Sequence, residues 1–181
     1  SEAEDVSLRV FVGQKVASVS ATAASDPAML AERAVAMAKV SPEDPYQGLA
    51  DPALLARQTR DLGLFDGTEV SADQLKEAAL AAEAAALAVK GVTNSAGSGA
   101  SAGLGGMVLA TSQGFLGHYV GSGFSRSASV IAGEGTGMER DYEFSSRRHF
   151  ADLDAPQDIG RKAGERAVRR IGARKAATGP V

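Results

Sequence analysis

Apolar and polar residues alternate at 8–12 and again at 16–20, which predicts two strands joined through Gly13-Gln14-Lys15. Asp26 followed by Pro27 then marks a helix start, with Leu30, Ala34 and Met37 on one face and Glu32, Arg33 and Lys39 away from it. The stretch SPEDPYQGLAD at 41–51 is a turn-rich link. Asp51-Pro52 repeats the helix-start signal, so a second helix is expected to run to Leu62 and stop at Gly63. Ser71 and Gln74 form a capping box for the next helix, expected over 72–90. Its stripe is Leu75, Ala79, Ala82 and Ala86, and Gly91 closes it. Small side chains on that stripe suit a helix lying flat against a sheet.

Beyond Gly91 the texture changes. Thirteen glycines fall between Gly91 and Gly137, mixed with Ser, Ala and Val. The period is two: Phe115, Gly117 and Tyr119 share one face, and Leu116, His118 and Val120 the other. Strands are expected at 107–112, 115–121, 125–132 and 138–145, with Gln113-Gly114 as a tight turn. A last helix over 156–171 has Ile159, Ala163, Ala167 and Ile171 as its apolar stripe. The expected class is α+β, an antiparallel sheet meander packed with alanine-rich helices. Residues 1–181 read as one incomplete domain: helical over 26–90, glycine-rich and extended over 92–146, then the 156–171 helix. The opening passes almost directly into a strand and the tail ends without closure, as expected of a piece of a longer chain.

Composition sharpens this picture. Hydrophobic residues make up 44% of the chain, yet it has only six Phe, three Tyr and no Trp, so alanine and small aliphatics must fill the core. The net charge of −3 argues against nucleic acid as a partner of the whole chain. Seven basic residues against one acid lie between Arg161 and Lys175, read here as the solvated face of the last helix. The absence of cysteine excludes disulfides and thiolate metal sites and fits a reducing, cytoplasmic setting. No run of 18 apolar residues is present, so no membrane span is expected.

Candidate chemistry is sparse. A catalytic zinc needs three protein ligands, but there are only two histidines, and neither opens an H-E-x-x-H pair. His118 reads as a sheet-surface residue. The G-x-S-x-G elbow is missing. The run SAGSGASAG at 95–103 reads as a flexible loop, because no Gly-Lys-Ser/Thr follows and no strand–loop–helix order surrounds it. The remaining cluster is Glu139, Asp141 and Glu143 on one strand face, followed by Arg147, Arg148 and His149. Like charges at that spacing need solvent or cations; Arg140 faces the other way within the strand, and Arg147 and Arg148 are expected to supply the counter-charge. These six residues are the candidate contacts for a partner or a peptide.

Several longer runs together resemble the TldD/PmbA family, and within it the PmbA (TldE) branch. They are KGVTNSAGSGASAG at 90–103, LATSQGFLGHYVGS at 109–122 and SVIAGEGTGMERDYEFSSRRHFADLDAP at 129–156. LRVFVGQKVASVS, EDPYQGLADP and IGRKAGERAVRRI agree, so the resemblance covers nearly all of the chain. Family members are much longer, and the resemblance implies that residues 1–181 are an incomplete N-terminal domain, most of the family's first domain without its beginning and without the C-terminal domain. The resemblance implies a zinc metallopeptidase in the TldD branch, with a histidine–glutamate–histidine motif just beyond the region matching this chain's end. The PmbA branch lacks those ligands and joins a TldD-like protein around a peptide-processing cavity. Such pairs act in microcin maturation and antitoxin degradation, and an older label is modulator of DNA gyrase. For this chain the resemblance implies a non-catalytic subunit handling unfolded peptide, with no cofactor in this segment and zinc held by a TldD-like partner. A second copy of the chain is a further candidate partner. The runner-up is a fragment of an active zinc metallopeptidase whose site lies outside the chain, and a nucleic-acid adaptor is third.

Overall fold

The structure is a computed structural model that describes residues 2–58, 60–174 and 178–179. Two compact units divide at Gln58 and Thr59. In the first, β1 (Asp5–Val12) and β2 (Lys15–Thr22) pair antiparallel, with Leu8 opposite Val19 and Val10 opposite Ala17. Gly13 turns between them at φ +62, a conformation open to glycine without a Cβ clash. Helix α1 (Pro27–Val40) starts where the Asp26 carboxylate accepts from Ala28 N, and it packs Ala34 and Ala38 against the hairpin.

The helix expected from Pro52 to Leu62 is not there. A single 3-10 turn, Pro52–Leu54, follows the Asp51 cap, and the chain then runs on irregularly. The start signal was real, but Leu54 and Leu62 stay exposed. A short helix with no apolar face to bury does not hold in water.

The second unit places two helices on one face of a three-stranded sheet. Helix α2 (Ala72–Leu87) carries the expected capping box: Gln74 N donates to Ser71 Oγ, and Ser71 N to Gln74 Oε1. It ends three residues earlier than expected, ahead of Gly91. The sheet has the order β3 (Val92–Ala110), β4 (Leu116–Ala132), β5 (Glu139–Arg147), antiparallel throughout. Helix α3 (Pro156–Arg170) closes the unit. The α+β class holds. The strand expected at 138–145 is β5, but the other three short strands are replaced by two long ones, because 92–110 and 116–132 are each continuous. The 95–103 run, read as a loop, is extended, and Gly121-Ser122-Gly123 does not interrupt β4. Pairing between the strands decides here over the low strand preference of glycine and serine: Gly103 faces Gly123 and Gly105 faces Gly121.

The core consists of Ala82 and Ala86 from α2, Ala128, Val130 and Ala132 from β4, and Ile159, Ala163 and Ala167 from α3. Ile171, expected on the same stripe, lies past the helix end and is partly exposed. Lys175, the last member of the basic run, lies outside the described residues. Because strand side chains alternate, Gly99, Ser101, Gly103 and Gly105 of β3 share the other sheet face with Gly121, Gly123, Ser125 and Ser127 of β4 and with Tyr142 and Phe144 of β5.

Candidate functional site

Glu139, Asp141 and Glu143 do share one face of β5, and it is the face turned toward α3. Their counter-charges come from that helix rather than from Arg147 and Arg148. Arg166 Nη1 lies 3.2 Å from Glu143, and its Nε 3.5 Å from Asp141. Arg170 reaches Asp141 and Glu139 at 3.5 Å each. The match is geometric: residues four apart on a helix are about 6 Å apart along the axis, and residues two apart on a strand about 6.6 Å. Two arginines one turn apart therefore interleave with three alternate carboxylates. The backbone N–H of Tyr142, then Arg166 and Arg170, hold the Asp141 carboxyl below its ordinary pKa against the opposing effect of desolvation.

The other three candidates are tied locally. Arg147 pairs with Asp154 at 3.2 Å. Asp154 also accepts from Ser145 Oγ at 2.6 Å, and that bond is the main reason its pKa is lowered. His149 Nε2 lies 2.7 Å from the Gly63 carbonyl. Arg148 Nη1 donates to the Ser122 carbonyl at 3.1 Å, and among the described residues no carboxylate lies within ion-pair distance of it.

Two residues that the sequence did not single out organise this corner. Ser122 is fully buried; its Oγ accepts from Asp66 N and donates to the Arg148 carbonyl, while its own N–H donates to the Leu64 carbonyl. Asp66 accepts from Thr68 Oγ1, from Thr68 N and from Phe150 N. The Thr68 hydroxyl contributes most to lowering the Asp66 pKa. The Asp-Gly-Thr sequence at 66–68 is an Asx-turn signal that could have pointed to Asp66. Nothing in the sequence pointed to Ser122.

A cavity of about 630 Å³ opens over this corner, lined by Ser101, Gly103, Gly105, Tyr119, Ser122 and Arg148 among others. A Cβ built on Gly103, Gly105 or Gly123 would meet nothing within 4 Å, and none of the three has positive φ. Neither the backbone nor packing inside the chain requires glycine there. In a strand, glycine of that kind marks close approach by a ligand or another backbone.

Zinc does not fit the residues present. The carboxylates of β5 are engaged by arginine. His118 lies across from Val108 in the sheet, whereas His149 lies past the end of β5, just before the 3-10 turn at Phe150–Asp152. Among the described residues no group of three or more His, Asp or Glu could hold a metal ion.

Two helices on one face of an antiparallel sheet, with a backbone-lined cradle on it, define an α+β module; among its described residues there is no metal-ligating cluster. The model of the PmbA/TldA metallopeptidase central domain matches residues 65–171, and the chain belongs to the PmbA/TldD family. It is 34% identical over 174 residues to a metalloprotease PmbA homolog of Haemophilus influenzae, covering 94% of this chain and 39% of that protein. It is 38% identical over 148 residues to metalloprotease PmbA of Escherichia coli O157:H7, covering 81% and 33%. The chain thus spans well under half the length of these relatives. Among solved structures, a protein described as a modulator of DNA gyrase from Bacteroides thetaiotaomicron superposes with a TM-score of 0.83 at 26% identity, over 94% of this chain and 40% of that one. TldE from Thermococcus kodakarensis shares the fold, with a TM-score of 0.62 at 20% identity over 90% and 36%. No helix among the described residues is long and apolar enough to cross a membrane.

Proposed function

We propose that this chain is the scaffold part of a PmbA/TldE-type cytoplasmic subunit that supports a TldD-like zinc peptidase in peptide processing or proteolysis, without performing the cleavage itself. Its role is to hold an unfolded peptide in extended form. The observation that carries this reading is the cradle. Its glycines leave sheet backbone bare, so that a second backbone can approach closely. The Arg148 guanidinium beside it is held by the Ser122 carbonyl and paired with no carboxylate among the described residues, so its remaining N–H groups are available to a peptide carboxylate. Zinc, in this reading, is held by the partner.

The test uses the full-length protein with its TldD-like partner. Arg148→Ala is expected to raise the Kd for an acidic unfolded peptide about tenfold, which is about 1.4 kcal/mol, with Arg148→Lys recovering part of the loss. The subunit purified alone is expected to retain far less than one zinc per chain after dialysis. A subunit that keeps one zinc per chain and cleaves peptide without its partner defeats the proposal.

A further inference from the structure

Gly121, Gly123 and Ser125 of β4 face the cavity beside Gly105, Gly103 and Ser101 of β3. The floor is bare backbone as far as the Ser101 and Ser125 hydroxyls, whose oxygens lie 2.9 Å apart. From Gly121 to Ser125 it runs about 13 Å, the length of four extended residues. The Arg148 guanidinium lies on this floor and not above it. Its Nη1 is 3.2 Å from the position that a Cβ on Gly121 would take, so a larger residue at 121 would displace it. Ser122 holds the arginine at both ends. The Ser122 carbonyl accepts from Nη1 at 3.1 Å, and the buried Ser122 Oγ donates to the Arg148 carbonyl at 2.6 Å. Leu64 borders the same end of the floor, its carbonyl 3.4 Å from that Cβ position.

The height of the guanidinium separates two kinds of carboxylate. An Asp or Glu side chain that reaches it holds its own backbone off the floor by the length of the side chain, and the glycines then face nothing. An α-carboxylate belongs to the backbone, so it meets the guanidinium only when the chain itself lies on the floor. A fork of N–H groups at floor height, at the end of a strip of bare backbone, fits that group. We infer that Arg148 captures the C-terminal carboxylate of the extended peptide, an inference that rests on the peptide-holding role proposed above. The last residues of the peptide then lie over Gly123 and Ser125. Gly121 and Ser122 are positioning residues: the first leaves room for the guanidinium, and the second fixes it.

The experiment uses the full-length protein with its TldD-like partner, in a metal chelator so that peptide is bound and not cleaved. The probe is a fluorescently labelled, unstructured peptide of Ala, Ser and Val without Asp or Glu, made with a free C-terminus or with a carboxamide. Anisotropy titrations are expected to give the free acid a Kd about tenfold lower than the carboxamide. Arg148→Ala is expected to erase that preference. Gly121→Ala keeps the charge but moves it off the floor, and is expected to cut the preference to about twofold, with the thermal midpoint unchanged. A carboxamide peptide with an internal Glu is expected to bind no better than the plain carboxamide. Equal affinity for free acid and carboxamide overturns the inference, as does a preference that survives Arg148→Ala. An internal Glu that restores full affinity to the carboxamide also overturns it, and leaves the peptide-holding role standing with a side-chain carboxylate as its ligand. Failure of all three peptides to bind removes the peptide-holding role as well.

Discussion

A methyl group at position 160 has no space to occupy. A Cβ there would run into the Ala82 carbonyl of α2, and one on Gly164 would lie 2.6 Å from a Val89 methyl. Alanine is the better helix former by about 1 kcal/mol, so an exposed helix would gain from the exchange. In this crossing we expect the opposite sign: Gly160→Ala should destabilise by about 1–3 kcal/mol through forced separation of α2 and α3, measured by urea unfolding. A variant as stable as the original would mean that the helices part without cost. Asp66 acts through charge. Its folded pKa lies below the ordinary carboxylate value, so its contribution is fully present above about pH 4 and disappears as pH falls through the lowered value. Asp66→Asn should therefore lower the melting temperature at neutral pH and flatten its decline as pH falls below about 4. Asp141 and Asp154 shift in the same direction and leave part of the acid slope in place. An unchanged slope would remove Asp66 from the acid response. Sequence disclosed residues whose partners are near in the chain, such as Ser71 and Gln74. It did not disclose Ser122, whose partners at Leu64, Asp66 and Arg148 come from distant segments.

Between elements, the arginine–carboxylate ladder joins α3 to β5. Its arginines are about half exposed, so each pair is worth about 0–1 kcal/mol. Arg166→Ala should therefore cost little. Arg166→Glu sets a like charge against Asp141 and Glu143 and should lower the melting temperature clearly more, with the gap between the two variants shrinking above about 0.5 M salt as screening shortens to a few Å. A salt-independent gap would point to lost packing of the arginine stem instead. The acidic face of β5 was legible because alternation fixes which residues share it. Its partner was not: the arginines appeared as a basic run on a helix whose docking register depends on the sheet beneath. For the same reason the sequence of 95–103 suggests a loop. Glycine and serine have little strand preference of their own, and their extended state is imposed by β4.

At the scale of the whole molecule, the class was legible from the blocks of periodicity, and the small-residue core from the scarcity of aromatics. The 52–62 region was not, because a cap announces a helix without showing that anything will pack on it. The long β3–β4 hairpin has a consequence for time rather than for structure. Its strands close at Thr111–Phe115, while its base joins Val92 to Ala132. The core needs α2 from before the hairpin and α3 from after it, so the helices gain their shared sheet only once the ribbon has zipped to its base. Closing such a loop costs entropy before any core contact repays it. The turn, where Gly114 holds φ +87, is then the natural nucleus. Gly114→Ala, strained at that φ by about 1 kcal/mol or more, should slow refolding about fivefold while leaving the unfolding rate nearly unchanged. Stopped-flow chevrons would show the loss on one limb. If it falls on the unfolding limb instead, the turn closes last, and the chain begins to fold at its helices.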